Sequence, residues 1–247
     1  MKNNLYLNIP TLSLCFLSCF FLNFSSFAQQ RVKTEVGGNM GDLQNRLMLR
    51  NLVSQGVTEF KTPDKLDGSI YLKDEFVKSN VLVKDEETTV EGFELRYNIM
   101  SDAMEFVENN ETRSLHKHKV NHVNIGGEFF LVATIEEEGK ERLKYMKTLA
   151  LENSYALQSY EVTIQEPFYH PGMHSTCPNP KAITRTRLFA KLPNQEVAIE
   201  IDKKSDLYTL VGDRAKEVKT YMKKNKISIK KQADLQQVLE YYVSIKS

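Results

Sequence analysis

The chain's 247 residues, 41% hydrophobic and 26% charged, suffice to close a sizeable core and exclude wholesale disorder. A formal net charge of +1 excludes the global basic bias of a nucleic-acid binder. With only three cysteines, two of them at Cys15 and Cys19, a disulfide scaffold is excluded as well.

The first residues read as a secretory leader. Lys2 supplies a positive start, Leu12 to Leu22 an apolar stretch, and Ser26-Phe27-Ala28 the small residues of a cleavage site. Residues 1–28 are therefore expected to leave. Asn23 interrupts the run short of the roughly 18 to 20 residues a span needs, which opposes an uncleaved anchor. Processing as a lipoprotein at Cys19 is opposed by the poor match of Phe16-Leu17-Ser18 and by the apolar residues that follow. Maturation removes Cys15, Cys19 and Lys2, leaving Cys177 alone and a formal charge of zero.

Residues 29–67 form a polar, partly flexible lead-in. Gly37 to Gly41 lacks the preceding strand and following lysine of a phosphate loop, and Asp42 starts a short helix through Leu43 and Leu47. Pro63-Asp64 and Asp67-Gly68 are turn chemistry. From 68 to 210 the sequence reads as an antiparallel β domain. Val81 and Val83 alternate with polar neighbours, Asp85 to Glu87 turns, and Phe93, Leu95, Tyr97 and Ile99 mark one face of a half-buried strand. Asn109-Asn110, Gly126-Gly127 and Glu138-Gly139 are hairpin signals between Met104 and Phe106, Val123 and Ile125, Phe129 to Ile135, and Leu143 and Tyr145. Tyr160, Val162 and Ile164 continue the pattern, and Val197, Ile199 and Ile201 resume it after a long loop. So many short strands predict a curved sheet, a sandwich or a small barrel.

At 211–247 the period changes. Val211, Ala215, Val218 and Met222 share one helical face, and Leu235, Val238, Leu239 and Tyr242 share another. Two amphipathic helices are predicted to pack on the β domain, joined by Asn225 to Ile229, with Ser228 capping the second. The fold class is thus α+β, an antiparallel meander followed by two C-terminal helices.

Three groups of residues carry chemistry worth testing. His116, His118 and His122 share parity, so on an unbroken strand they project from one face, where imidazoles at i and i+2 reach one metal ion. Within the long Gln165 to Thr184 connection, His170, His174 and Cys177 suit zinc or another transition metal, although no fourth ligand is evident. Cys177 as a nucleophile has no family signature around it, and the carboxylates Glu94, Asp102 and Glu105 are not paired by any motif. Charge is also uneven along the chain. Nine acids lie between Asp85 and Glu111 against Arg96 alone, whereas Asp213 to Lys231 is strongly basic. Lys223, Lys224 and Lys226 are candidate partner-binding residues, for envelope phosphates or an acidic partner, the acidic strands of the same molecule included. Export opposes a DNA-binding reading of the two basic helices.

Gly68-Ser69-Ile70-Tyr71-Leu72 with Phe76, the strand Leu95-Arg96-Tyr97-Asn98-Ile99, Ile125-Gly126-Gly127 with Phe129 or Phe130, and the end from Asp234-Leu235 to Tyr241-Tyr242 are distinctive. In these motifs the chain resembles a set of uncharacterised exported proteins of Bacteroidota. The resemblance implies a Gram-negative envelope setting and brings no catalytic residues with it. The sequence thus leads to an exported protein, periplasmic or peripherally attached to the envelope, acting without catalysis as a module for an envelope protein or small ligand. A metal-dependent hydrolase built on one of the His/Cys groups is the alternative. No nucleic acid, no bound cofactor and no membrane span after leader cleavage are expected.

Overall fold

The structure is a computed structural model that describes Leu52, 63–84, 88–168, 177–193 and 195–246. The leader, the Gly37 to Gly41 run, the Asp42 helix and the Asp85 to Glu87 turn lie outside the described residues, as do His170 and His174. The described residues build ten strands: β1 (Val77–Val83), β2 (Thr89–Asn98), β3 (Ala103–Glu108), β4 (Glu111–Ser114), β5 (Val120–Ile125), β6 (Glu128–Glu137), β7 (Lys140–Thr148), β8 (Ala156–Gln165), β9 (Lys181–Ala190) and β10 (Val197–Glu200). Three helices follow, α1 (Lys204–Val211), α2 (Ala215–Lys224) and α3 (Gln232–Lys246).

Two-residue turns set the meander. At Asn109-Asn110, Gly126-Gly127 and Glu138-Gly139 both central residues have positive φ, the backbone that matches the twist of the flanking strands. Position 126 is the most demanding of these. A Cβ there would stand 3.0 Å from Cγ1 of Val77, so any other residue would crowd the start of β1.

The sheet runs β10-β9-β8-β7-β6-β5-β1-β2-β3-β4, and its middle closes on itself. Val197 and Ala198 of β10 pair in parallel with Thr134 and Ile135 of β6, so β6 to β10 form a closed five-stranded barrel. Strands β5, β1, β2, β3 and β4 extend the sheet beyond it. Register shifts at Ser79/Asn80 and Leu82/Val83 bend β1 on both of its edges.

Barrel closure divides the interior into three. Ala133, Ile135, Met146, Leu157, Phe189 and Ala198, drawn from all five barrel strands, fill the lumen. The outer face of β6, β7 and β8 presents Phe130, Tyr145 and Tyr160 to a second core with Leu95, Tyr97, Met104 and Val123 from the sheet extension. A third lies under the helices, where Ala156, Ala190 and Ile201 meet Leu207, Val218, Leu235 and Leu239. Each fully buried aliphatic or aromatic side chain here contributes about 1.5–3 kcal/mol. Closure pairs β10 on both sides, while β4 remains as an edge of the extended sheet.

Several expectations are corrected. The stretch 129–135 does not bury a single face, because β6 has the lumen on one side and the Tyr97 core on the other. β10 buries Ala198 in the lumen and leaves Ile199 outside at 42% exposure, the reverse of the Val197, Ile199 alternation. Helix begins at Lys204 rather than 211, and the first predicted helix is two, broken where Gly212 takes φ +58°. Ser228 caps nothing, since α3 starts at Gln232. The long connection ends at Lys181, where β9 begins. No described helix is long and apolar enough to cross a membrane.

Candidate functional site

Beyond the apolar plug, the same inward-facing parity turns charged on every barrel strand. Glu137 follows Ile135, Lys144 precedes Met146, Glu161 follows Ser159, Arg187 precedes Phe189, and Glu200 follows Ala198. Arg187 grips Glu200 with two nitrogens, the Nε–Oε1 contact being 2.7 Å, and its Nη1 lies 3.1 Å from Glu137 and 2.5 Å from Glu161. Lys144 adds contacts of 3.2 Å to Glu161 and 3.6 Å to Glu137. Strands β7 and β8 share paired backbone only at Lys147–Gln158 and Thr148–Leu157, so beyond it the Lys144–Glu161 bridge spans the opening. Burial raises the Glu161 carboxyl, but Arg187 and Lys144 together outweigh it and hold the group below the usual range. Glu137, Glu161 and Glu200 each have a cation, so the cluster ties the strands together at this end of the barrel.

A second polar cluster sits at the rim of the Tyr97 core. Asp102, in a left-handed conformation at φ +49°, accepts from Tyr97 Oη at 2.7 Å, from Lys117 Nζ and from the backbone N–H of Tyr145. Burial raises the Asp102 carboxyl above its ordinary value, and the charge of Lys117 partly offsets this. Nearby, the Arg96 guanidinium lies between the rings of Tyr71 and Phe76, at 3.7 and 4.4 Å, and bonds Glu105 at 2.9 Å. The recess between Leu72, Arg96 and Ile125 has a volume of about 10 Å³, room for no more than a water molecule. The motifs 68–76, 95–99 and 125–130 converge on this place. Leu72 N–H bonds Tyr97 O at 3.0 Å and Ile99 N–H bonds Ile70 O at 2.9 Å, so these residues serve the fold.

The three strand histidines do not share an unbroken strand. A 3-10 turn occupies Lys117–Lys119, with His116 before it, His118 exposed within it and His122 half-buried on β5. Burial lowers the basicity of His122. Among the described residues no three His, Cys, Asp or Glu side chains gather as metal ligands. Cys177 is exposed and free. Its proposed companions His170 and His174 lie outside the described residues, so the geometry of that group is not part of this site.

The lysines stand differently. Lys216, Lys219, Lys223, Lys224, Lys226, Lys230 and Lys231 are all exposed, and among the described residues no acid lies within ion-pair distance of any of them. Four acids of β3, β4 and the β2–β3 turn have partners nearer home, Glu105 with Arg96, Asp102 with Lys117, and Glu108 and Glu111 with Arg113, while Glu91 and Glu94 of β2 stand exposed without an ion pair among the described residues. No family model, curated protein or solved structure matches the chain. The site must therefore be read from its own chemistry. Lys216, Lys219 and Lys223 recur at i, i+3 and i+7 along α2, opposite buried Val218 and Met222. Tyr221 and Tyr241 stack at 3.9 Å and 5°, and Gln237 donates to the Tyr221 hydroxyl at 3.2 Å, which fixes α2 on α3. A rigid helical pair thus carries seven uncompensated ammonium groups, with Glu217 occupied by Arg214 at 2.9 Å. The sequence already showed all seven in the basic Asp213 to Lys231 stretch and singled out Lys223, Lys224 and Lys226 for partner binding; the absence of nearby acids became legible only with the fold.

Proposed function

We propose that the chain is an exported, non-catalytic module of the cell envelope that docks an anionic partner through the cationic face of α2 and its connection to α3. The observation that carries this reading is the run of seven exposed, unpaired lysines on a helix pair locked by packing. Elsewhere in the described structure, ionisable groups that meet in clusters are matched within the molecule. Matched clusters contribute to the barrel and sheet, whereas unmatched charge of one sign attracts a partner of the other. The leader and the resemblance to exported Bacteroidota proteins support the compartment.

Binding of dextran sulfate over a sodium chloride series tests it. Lys223→Gln/Lys224→Gln/Lys226→Gln is expected to weaken binding and flatten its salt dependence, since each lost ammonium removes one screened contact. Equal affinity of variant and parent at every salt concentration would overturn the reading.

A further inference from the structure

The β7–β8 loop carries two leucines that the core does not use. Leu149 is 48% exposed and Leu151 39% exposed, within the seven-residue loop 149–155 whose acid is Glu152. The turn is firmly built. Thr148 Oγ1 bonds Ala150 O at 2.7 Å and meets Ser154 Oγ, and Asn153 takes φ +53°. It is also tied to the helical pair. Gln236 Nε2 donates to Asn153 O at 2.7 Å while its Oε1 accepts from Tyr155 and Ala156 N–H, and Gln232 Nε2 donates to Lys147 O at 2.8 Å. Those glutamines are the first turns of α3, immediately after Lys230 and Lys231. The same hydrogen bonds that seat α3 on the barrel therefore tie the loop carrying the two exposed leucines to the start of α3, which follows Lys230 and Lys231 in the chain.

We propose that Leu149 and Leu151, together with Lys223, Lys224, Lys226, Lys230 and Lys231, form a docking surface for an anionic lipid bilayer. The inference rests on the cationic docking read in the preceding subsection and names its partner. A soluble polyanion such as dextran sulfate engages the lysines alone, which separates the charge from the leucines in the test below. A bilayer takes both features at once: headgroup phosphates meet the ammonium groups, and the boundary below them receives the leucines. Lysine stems long enough to keep the charge at the phosphates while the loop tip descends suit this arrangement. With no membrane-crossing helix among the described residues, attachment of this part of the chain would be peripheral and reversible.

The test is cosedimentation of protein purified from the envelope with vesicles of phosphatidylethanolamine and phosphatidylglycerol, against vesicles of phosphatidylcholine. Binding to the anionic vesicles only, falling with salt, is the expected result. Leu149→Ser/Leu151→Ser should lower vesicle affinity about tenfold while leaving dextran sulfate binding unchanged. Lys223→Gln/Lys224→Gln/Lys226→Gln should lower vesicle affinity on the order of a hundredfold. Val107→Ser, which alters an apolar side chain of 53% exposure on the β3–β4 hairpin, should change neither. If lysine-dependent dextran sulfate binding persists but vesicles are not bound, or are bound equally by the leucine variant, the lipid inference falls and an acidic protein partner takes its place. If dextran sulfate binding is itself indifferent to the lysines, the underlying docking reading falls too.

Discussion

Tyr97 and Tyr145 share one core and differ in what their hydroxyls meet. The rings stand 6.1 Å apart, both fully buried, and burial holds both phenols protonated far above their ordinary range. Tyr97 donates to the Asp102 carboxylate, a charge-assisted bond worth about 1.5–3 kcal/mol. Tyr145 Oη is buried with no hydrogen-bond partner. Opposite outcomes follow from the same chemical change. Tyr97→Phe is expected to destabilise the fold by about 2 kcal/mol and Tyr145→Phe to stabilise it by about 1 kcal/mol, both read by urea denaturation at neutral pH. A loss of stability in Tyr145→Phe equal to that in Tyr97→Phe would contradict the assignment of partners.

At the scale of elements, Arg187 is the residue through which β6, β8, β9 and β10 meet. Its planar fork satisfies Glu200 with two nitrogens while still reaching Glu137 and Glu161, a geometry that lysine does not reproduce. Arg187→Lys should cost part, and Arg187→Met most, of about 1–3 kcal/mol, the lower end reflecting solvent at the barrel mouth. Since Glu161 is held below its unfolded value of about 4.3, its contribution is complete above that pH and disappears as acid passes the lowered value. The acid branch of the stability profile should therefore flatten in Arg187→Met, and an unchanged branch would count against the network. Hairpins, the Phe93 to Ile99 strand and the face of α2 were legible in the sequence, because turn chemistry and local period determine them. Closure was not. The five lumen charges are spread from Glu137 to Glu200, and the pairing of β10 with β6 that unites them leaves no local pattern. For the same reason β10 was read with its faces reversed: Ala198 is small because the lumen is narrow, while Ile199 sits outside at an apolar position that alternation alone assigns to the core. The histidine group failed locally, where a 3-10 turn at Lys117–Lys119 breaks the strand parity on which it depended.

At the scale of the described molecule, a barrel whose mouth charges are paired carries a helical surface whose lysines are not. Ionic clusters at the barrel mouth and around Asp102 compensate one another inside the fold, and the helical pair projects lysines that nothing within it neutralises. The β7–β8 loop, pinned to the start of α3, joins an apolar tip to that charge. The lysines were visible in composition; their partnership with Leu149 and Leu151 arises from the side-chain amides of Gln232 and Gln236, which reach more than seventy residues back along the chain. Hydrogen exchange measured with and without phosphatidylglycerol-containing vesicles tests this account most directly. It predicts slowed exchange in 149–154 and 223–231 together, with the β3–β4 hairpin at Asn109-Asn110 unaffected. Protection confined to other segments, or absent from 149–154 while the protein is vesicle-bound, would contradict it.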